Sequence, residues 1–375
     1  MFREEAQLQR GTNPTTTTWF ARAHIDPPLL AGVLLLCAFG LFVLYSATGQ
    51  SSARTMAQAV RLGVALIAMI TLAQIPPVVY RRWAWAGYAL GLILLLAVLV
   101  AGSTGKGAQR WIDIGFRFQP SEIMKIAVPM AAAAYLYTRS LPPNLMSLVA
   151  LTAIILPPVL LIARQPDLGT AILIGASGAI VVLLAGLRLR VIIAIGAIIG
   201  AALPLLWQQL RDYQRQRVLT MLDPQSDPLG AGYNIIQSKI AIGSGGLFGK
   251  GWTNGTQGQL EYLPERSTDF IFAVIGEEFG LLGVMTLMLL YLFVVGRGLY
   301  IASQAPDSFS RLLAGSLTLT FFVYVLVNTA MVTGLLPVVG VPLPLISYGG
   351  TSMVTLLGAF GILMSIQTHK RLLPR

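Results

Sequence analysis

The sequence predicts an all-α integral membrane protein of about ten transmembrane helices, both termini cytoplasmic, with one large folded extracytoplasmic loop between the seventh and eighth. Three observations predict this class. The 375 residues are 55% hydrophobic and only 11% charged, less than half the roughly 25% charged share of soluble domains. Mean hydropathy is +0.72. Apolar runs of about 20 residues, enough to cross a bilayer as a helix, recur along nearly the whole chain.

The same arithmetic narrows function. A net charge of +11 could suggest nucleic acid, but no basic tail or aromatic–basic module supports it. In a membrane protein a basic excess reads as topology and phospholipid contact. The single cysteine, Cys37, leaves no intramolecular disulfide. His24 and His369, near opposite ends of the chain, remove His-based triads and clustered His/Cys metal sites.

Residues 1–27 are polar and read as a short cytoplasmic tail, not a cleavable signal peptide; 28–375 read as one polytopic membrane domain. Apolar segments are expected at 28–46, 56–75, 83–101, 122–138, 145–163, 168–187, 191–207, 279–300, 312–335 and 345–366, the fourth being the least hydrophobic. No internal repeat speaks for an inverted-repeat transporter. Ten spans return both termini to one side, which carries 13 of the 26 basic residues. Short flanking segments decide orientation. Setting aside Arg211, Arg215, Arg217, Lys239, Lys250 and Arg266 of the one long loop leaves 13 bases against 7, so the termini are cytoplasmic. Of the 15 acids, 11 fall outside or near the outer ends of helices, so the outer face is where chemistry is expected. The loop, about 210–278, far exceeds ordinary loop lengths, and its apolar and aromatic content predicts that it folds on the membrane surface.

Several outer constellations carry chemistry. Lys106, Arg110 and Trp111 precede Pro120, which suits a first helical turn, and then Glu122 and Lys125, which share a helical face. That pair is either a helix-start ion pair or the lining of a polar intramembrane cavity. Asp167 either caps the sixth span or faces the same cavity. Arg211, Arg215 and Arg217 either meet lipid headgroups or form a diphosphate clamp. The run from Gly243 to Gly251 invites a P-loop reading, but Ser244 and Gly251 occupy positions that need Gly and Ser/Thr, so a turn region is expected. Asp269 adjoins an apolar run; it is either a helix N-cap or a partly desolvated general base. Interfacial solvation or helix-end stabilisation accounts for Glu277 and Glu278. Prolines 337, 342 and 344, with Ser347, Gly349 and Gly350, interrupt the last two spans, for close helix packing or to line a wet cavity.

Together the stretches FQPSEIMK (118–125), RQPDLGT (164–170), DYQRQR (212–217), DPLGAGYNIIQSKIAIGSGG (227–246), LPERSTDFIFA (263–273) and VVGVPLPLISYGG (338–350) resemble the SEDS family of bacterial cell-wall proteins, over essentially all of 25–369. Residues 237–246 and 249–252 look like the rod-shape branch rather than the division branch. The resemblance implies a peptidoglycan glycosyltransferase of the cell inner membrane that polymerises lipid II and releases undecaprenyl diphosphate. It also implies work beside a class B penicillin-binding protein transpeptidase and other elongation-complex proteins. Asp269 matches the family's catalytic aspartate; Glu122, Lys125 and Asp167 match its cavity residues. Lys106, Arg110, Arg215, Arg217, Lys239 and Ser347 are further candidates for substrate contact. A divalent cation, Mg2+ or Mn2+, could assist; no ATP site is needed. The rival functions are a lipid II flippase, which needs polar residues accessible from both leaflets, and a passive scaffold. The inner halves of the spans are nearly free of acids, which favours the polymerase.

Overall fold

The computed structural model describes residues 23–105, 108–113, 117–210, 212–228, 230–260 and 262–369. Ten helices coincide with the ten expected segments: α1 (Pro27–Ala47), α2 (Ser52–Ala73), α3 (Pro77–Ala101), α4 (Ser121–Tyr137), α5 (Leu145–Arg164), α6 (Leu168–Leu184), α7 (Leu189–Gln209), α11 (Ile271–Ser303), α12 (Ser308–Val332) and α13 (Thr351–Thr368). Seven of the described helices are both long and apolar enough to cross a membrane. The helices start where side chains satisfy orphan backbone donors. Asp26, Asn144, Asp167 and Asp307 each accept a backbone N–H from the first turn of the helix they precede.

The loop between α7 and α11 is folded, as its composition predicts. It contains α8 (Asp212–Leu222), α9 (Ala231–Ser244) and the single turn α10 (Thr256–Gln259). Between α3 and α4 the chain forms a small antiparallel sheet, β1 (Ser103–Gly105), β2 (Ala108–Asp113) and β3 (Arg117–Phe118), which the apolar pattern does not reveal. Two span boundaries also move. Helix α11 begins at Ile271, eight residues before the expected 279, and Gly280 (φ 62°, ψ −160°) breaks its geometry at the membrane edge. The last helix begins at Thr351 rather than 345, because Pro342 and Pro344 hold the preceding segment non-helical.

Helix α4 sits at the centre, against α3, α5, α6, α12 and α13. Its residues are buried nearly all round, including Ala131 to Ala134, whose small side chains let neighbours approach. That position explains its low hydrophobicity: a helix shielded from lipid has no lipid-facing stripe to fill. By contrast α7 is exposed along most of its described length and faces lipid.

Both described ends lie on one face. The rings of His24 and His369 stack with centroids 3.9 Å apart, bringing together two residues 345 positions apart in the chain. Burial, and then the neighbouring His369, holds His24 below the usual histidine value. On the same face the Arg297 guanidinium donates to both oxygens of Asp26, at 2.6 and 2.9 Å. Asp26 therefore both caps α1 and ties it to α11. Asp26→Ala should cost about 2–3 kcal/mol, and Asp26→Asn, which keeps an acceptor for the cap, clearly less. Thermal unfolding of the detergent-solubilised protein reads this order, and equal losses would disprove the double role.

Candidate active site

The outer end of α4 carries the first charges of the site. Glu122 lies in the first turn, where the helix dipole favours an anion. Lys125 follows three residues later and its Nζ stands 2.8 Å from Glu122 Oε1. Both are buried, at 5% and 8% exposure. From α12, the ring of Tyr324 faces the Lys125 ammonium at 5.0 Å. Asp167 fulfils both readings of its sequence context. It caps α6 through Thr170 N–H at 3.3 Å, and it accepts from Gln119 Nε2 at 3.1 Å and Arg110 Nη1 at 3.2 Å. Arg110 is delivered by β2, so the unforeseen hairpin brings the second cation to the site.

These groups line a cavity of about 190 Å³, closed on its other side by 340–342 and 349–352. Its charges come as two cation–carboxylate pairs, Lys125–Glu122 and Arg110–Asp167. Three buried polar atoms around it have no partner among the described residues: Arg110 Nε, Glu122 Oε2 and the Tyr324 hydroxyl. Unmatched polar atoms at membrane depth are costly, so this is a cavity built to receive polar groups.

Asp269 reaches the cavity wall at Gly340. A methyl group added to Gly340 would sit 3.5 Å from Asp269 Oδ2. Gly340 itself adopts φ +75°, open to glycine but strained for other residues. The peptides leading to Asp269 are held by three successive carbonyls. Tyr348 N–H donates to Ser267 O at 2.8 Å, Ser347 Oγ to Thr268 O at 2.5 Å, and Asn328 Nδ2 to Asp269 O at 2.8 Å.

An apolar groove of about 770 Å³ adjoins the cavity. Val60, Val64 and Val354 line it, with Arg61 stacked 4.7 Å from the Tyr348 ring. It shares Trp111 and 349–351 with the polar cavity.

The family model described as a cell cycle protein, covering FtsW, RodA and SpoVE, matches residues 28–372. The chain belongs to the SEDS family. It is 51% identical over 365 residues to the peptidoglycan glycosyltransferase MrdB of Escherichia coli (strain K12), covering 97% of this chain and 99% of that one. Identity to a probable peptidoglycan glycosyltransferase FtsW of Trichlorobacter lovleyi is 38% over 370 residues, covering 95% and 96%. The difference places the chain with the rod-shape branch. Among solved structures, a chain of a peptidoglycan synthase complex that coordinates polymerization and crosslinking superposes with a TM-score of 0.81 at 31% identity, covering 91% of this chain and 97% of that one. The rod shape determining protein RodA of Thermus thermophilus gives 0.70 at 29%, covering 91% and 96%.

Within this SEDS fold the remaining candidates fall into different places. Lys106 and Arg211 lie outside the described residues. The other proposed clamp arginines do not line the cavity: Arg215 donates to the carbonyls of Trp207 and Gln208 at the end of α7, and exposed Arg217 faces the Tyr213 ring. A guanidinium is drawn to the unsatisfied carbonyls and negative dipole of a helix C-terminus. Lys239 is exposed on α9 beside Gly334. Ser347 is buried behind the wall, its hydroxyl committed to Thr268 O and to Leu343 N–H. Glu277 and Glu278, for which the sequence predicts interfacial solvation or helix-end stabilisation, are 0% and 1% exposed, so solvation does not account for them. Glu277 collects Lys250 Nζ at 2.7 Å, Thr256 Oγ1 at 3.0 Å and the N–H groups of Gln257 and Gly258. Glu278 accepts from Ser46. The pair organises the loop that ends at Asp269.

Tyr324, which lines the site, is not anticipated by any motif; a polar residue within a span was the available signal. Lys125→Met should abolish activity and destabilise by about 3 kcal/mol, because it strands a buried carboxylate. Adding Glu122→Gln should restore most of the stability in thermal unfolding but none of the polymerisation; recovered activity would make the pair purely structural. Gly340→Ala should lower turnover at least several-fold, since φ > 0 costs a side chain about 1 kcal/mol or more and the methyl crowds Asp269. Unchanged single-turnover rates would separate Gly340 from the site.

Proposed function

We propose that this chain is a peptidoglycan glycosyltransferase of the inner membrane that polymerises lipid II during cell elongation, with Asp269 as general base. The observation that carries this reading is the placement of the Asp269 carboxylate at Gly340, on the wall of a charged cavity continuous with an apolar groove. A lipid-linked donor needs both compartments: an apolar track for the polyprenyl chain and a polar chamber for sugar and diphosphate.

The chemistry balances with few groups. The acceptor GlcNAc 4-hydroxyl gives its proton to the Asp269 carboxylate as its oxygen bonds to the donor anomeric carbon. The bond from that carbon to the diphosphate oxygen breaks, and undecaprenyl diphosphate leaves with the electron pair. Attack opposite the leaving group inverts the α-linkage to β. Negative charge develops on the diphosphate, and Arg110 and Lys125 are the cations on the cavity wall able to stabilise it. Their carboxylate partners hold them in place beforehand, which is the preorganisation such stabilisation needs. A Mg2+ or Mn2+ ion carried by the diphosphate would meet Glu122 and Asp167 as carboxylates on the lining. Diphosphate is a good leaving group, so a second carboxylate acting as general acid, needed in ordinary glycoside hydrolysis, is dispensable.

A class B penicillin-binding protein is the natural partner, because nascent glycan emerges on the outer face where crosslinking occurs. The likeness to a chain of a peptidoglycan synthase complex supports this pairing.

Purified wild-type and Asp269→Ala proteins, each with the transpeptidase partner and labelled lipid II, test the reading. Loss of the base should lower glycan polymerisation by at least about 100-fold while the variant still binds lipid II. Equal polymerisation by both would end the assignment.

A further inference from the structure

Asn328 lies on α12 one turn beyond Tyr324 and is fully buried. Its carboxamide nitrogen donates twice, at 2.8 Å to the carbonyl of Asp269 and at 2.7 Å to the carbonyl of Val341. Its Oδ1 has no partner among the described residues. An apolar side chain of similar size would fill the space without that unmatched acceptor, so packing does not explain an asparagine here. The two donated bonds do.

They join segments that are remote in the chain. Asp269 closes the outer loop, and Val341 lines the polar cavity beside Gly340. Ser347 and Tyr348 hold the two carbonyls before Asp269, whereas Asn328 reaches Asp269 itself, and from a membrane-spanning helix.

We propose that Asn328 is a positioning residue for Asp269. By fixing the Asp269 and Val341 carbonyls to one carboxamide, it sets how far the Asp269 carboxylate extends past Gly340 toward the acceptor hydroxyl. This rests on Asp269 being the base. Asn328 touches neither substrate nor the transferred proton; it acts through the peptide of Asp269. Misplacing a reacting group by about 1 Å can cost on the order of 100-fold in rate, while the cavity residues that bind substrate stay where they were. The expected signature is therefore a loss in kcat at nearly constant KM.

The test compares wild type, Asn328→Asp, Asp269→Ala and the double variant, each as full chain with its transpeptidase partner and labelled lipid II. Rates are normalised to folded, monodisperse protein. Asn328→Asp keeps the side-chain size and replaces the donating nitrogen with oxygen. The expected result is a kcat lower by roughly 10- to 100-fold, a KM for lipid II within about 3-fold of wild type, and no further loss in the double variant relative to Asp269→Ala. An unchanged kcat, a loss carried by KM, or losses that multiply in the double variant would each overturn the proposal. Wild-type activity in Asp269→Ala would instead overturn the base assignment on which it rests. Should Asn328→Asp not yield monodisperse protein, Asn328→Ala is judged by the same criteria, with a smaller kcat loss because water can enter and donate in place of the carboxamide.

Discussion

Backbone that leaves the helix inside a membrane must find all its hydrogen-bond partners within the protein. The segment between α12 and α13 is such a backbone, and most of the site follows from how it is satisfied. The Tyr291 hydroxyl donates to Pro344 O at 2.6 Å, Asn328 to Val341 O, and Ser347 Oγ accepts from Leu343 N–H. Gly40 lets α1 approach so closely that a methyl there would lie 2.7 Å from Leu345 O. Asn328 and Ser347, which satisfy this irregular segment, also hold the carbonyls of Asp269 and Thr268. Stability at depth and placement of the Asp269 backbone therefore share one network.

The charged cavity obeys the same constraint. Two carboxylates and two cations near the outer edge of the bilayer would each be costly singly, and each is paired. Pairing cancels the local charge while no substrate is present, but it leaves Arg110 Nε, Glu122 Oε2 and the Tyr324 hydroxyl unmatched. Of these, Arg110 Nε and the Tyr324 hydroxyl are donors an entering anionic group could meet, whereas Glu122 Oε2 can only accept. The four paired side chains thus cancel in charge yet leave the cavity polar in detail.

Much of this was legible in the sequence. Ten apolar runs lie where ten helices form, and the concentration of acids on one face marked the working side. Spacing alone put Glu122 and Lys125 on one helical face. What stayed hidden depended on direction and distant pairing. Arg215 and Arg217 sit near the outer interface in sequence, but only the fold shows Arg215 turned to the end of α7. The two histidines looked separate because sequence distance says nothing about which helix ends meet. Glu277 and Glu278 looked interfacial because their partners, Lys250 and Ser46, come from other segments. Tyr324 and Asn328 sit in an otherwise ordinary apolar run, and only their partners reveal what they do.

A base carried on a long loop is ordinarily a poor design, since loops lack the rigidity that proton transfer demands. Here the second half of the loop is not loose. Glu277 gathers Lys250 and the start of α10, Glu278 takes Ser46 from α1, and Arg266 spans the carbonyls of Ala47 and Gly258. The last three carbonyls are then pinned one by one, as far as Asp269. The helix that leads into the loop differs: α7 is exposed along most of its described length. One connection thus joins a weakly packed helix to a tightly held Asp269. That division is physically consistent with the proposed reaction of a lipid-linked substrate at the membrane surface. The Asp269 backbone is fixed to the core through Asn328, while the lightly packed α7 lies at the periphery.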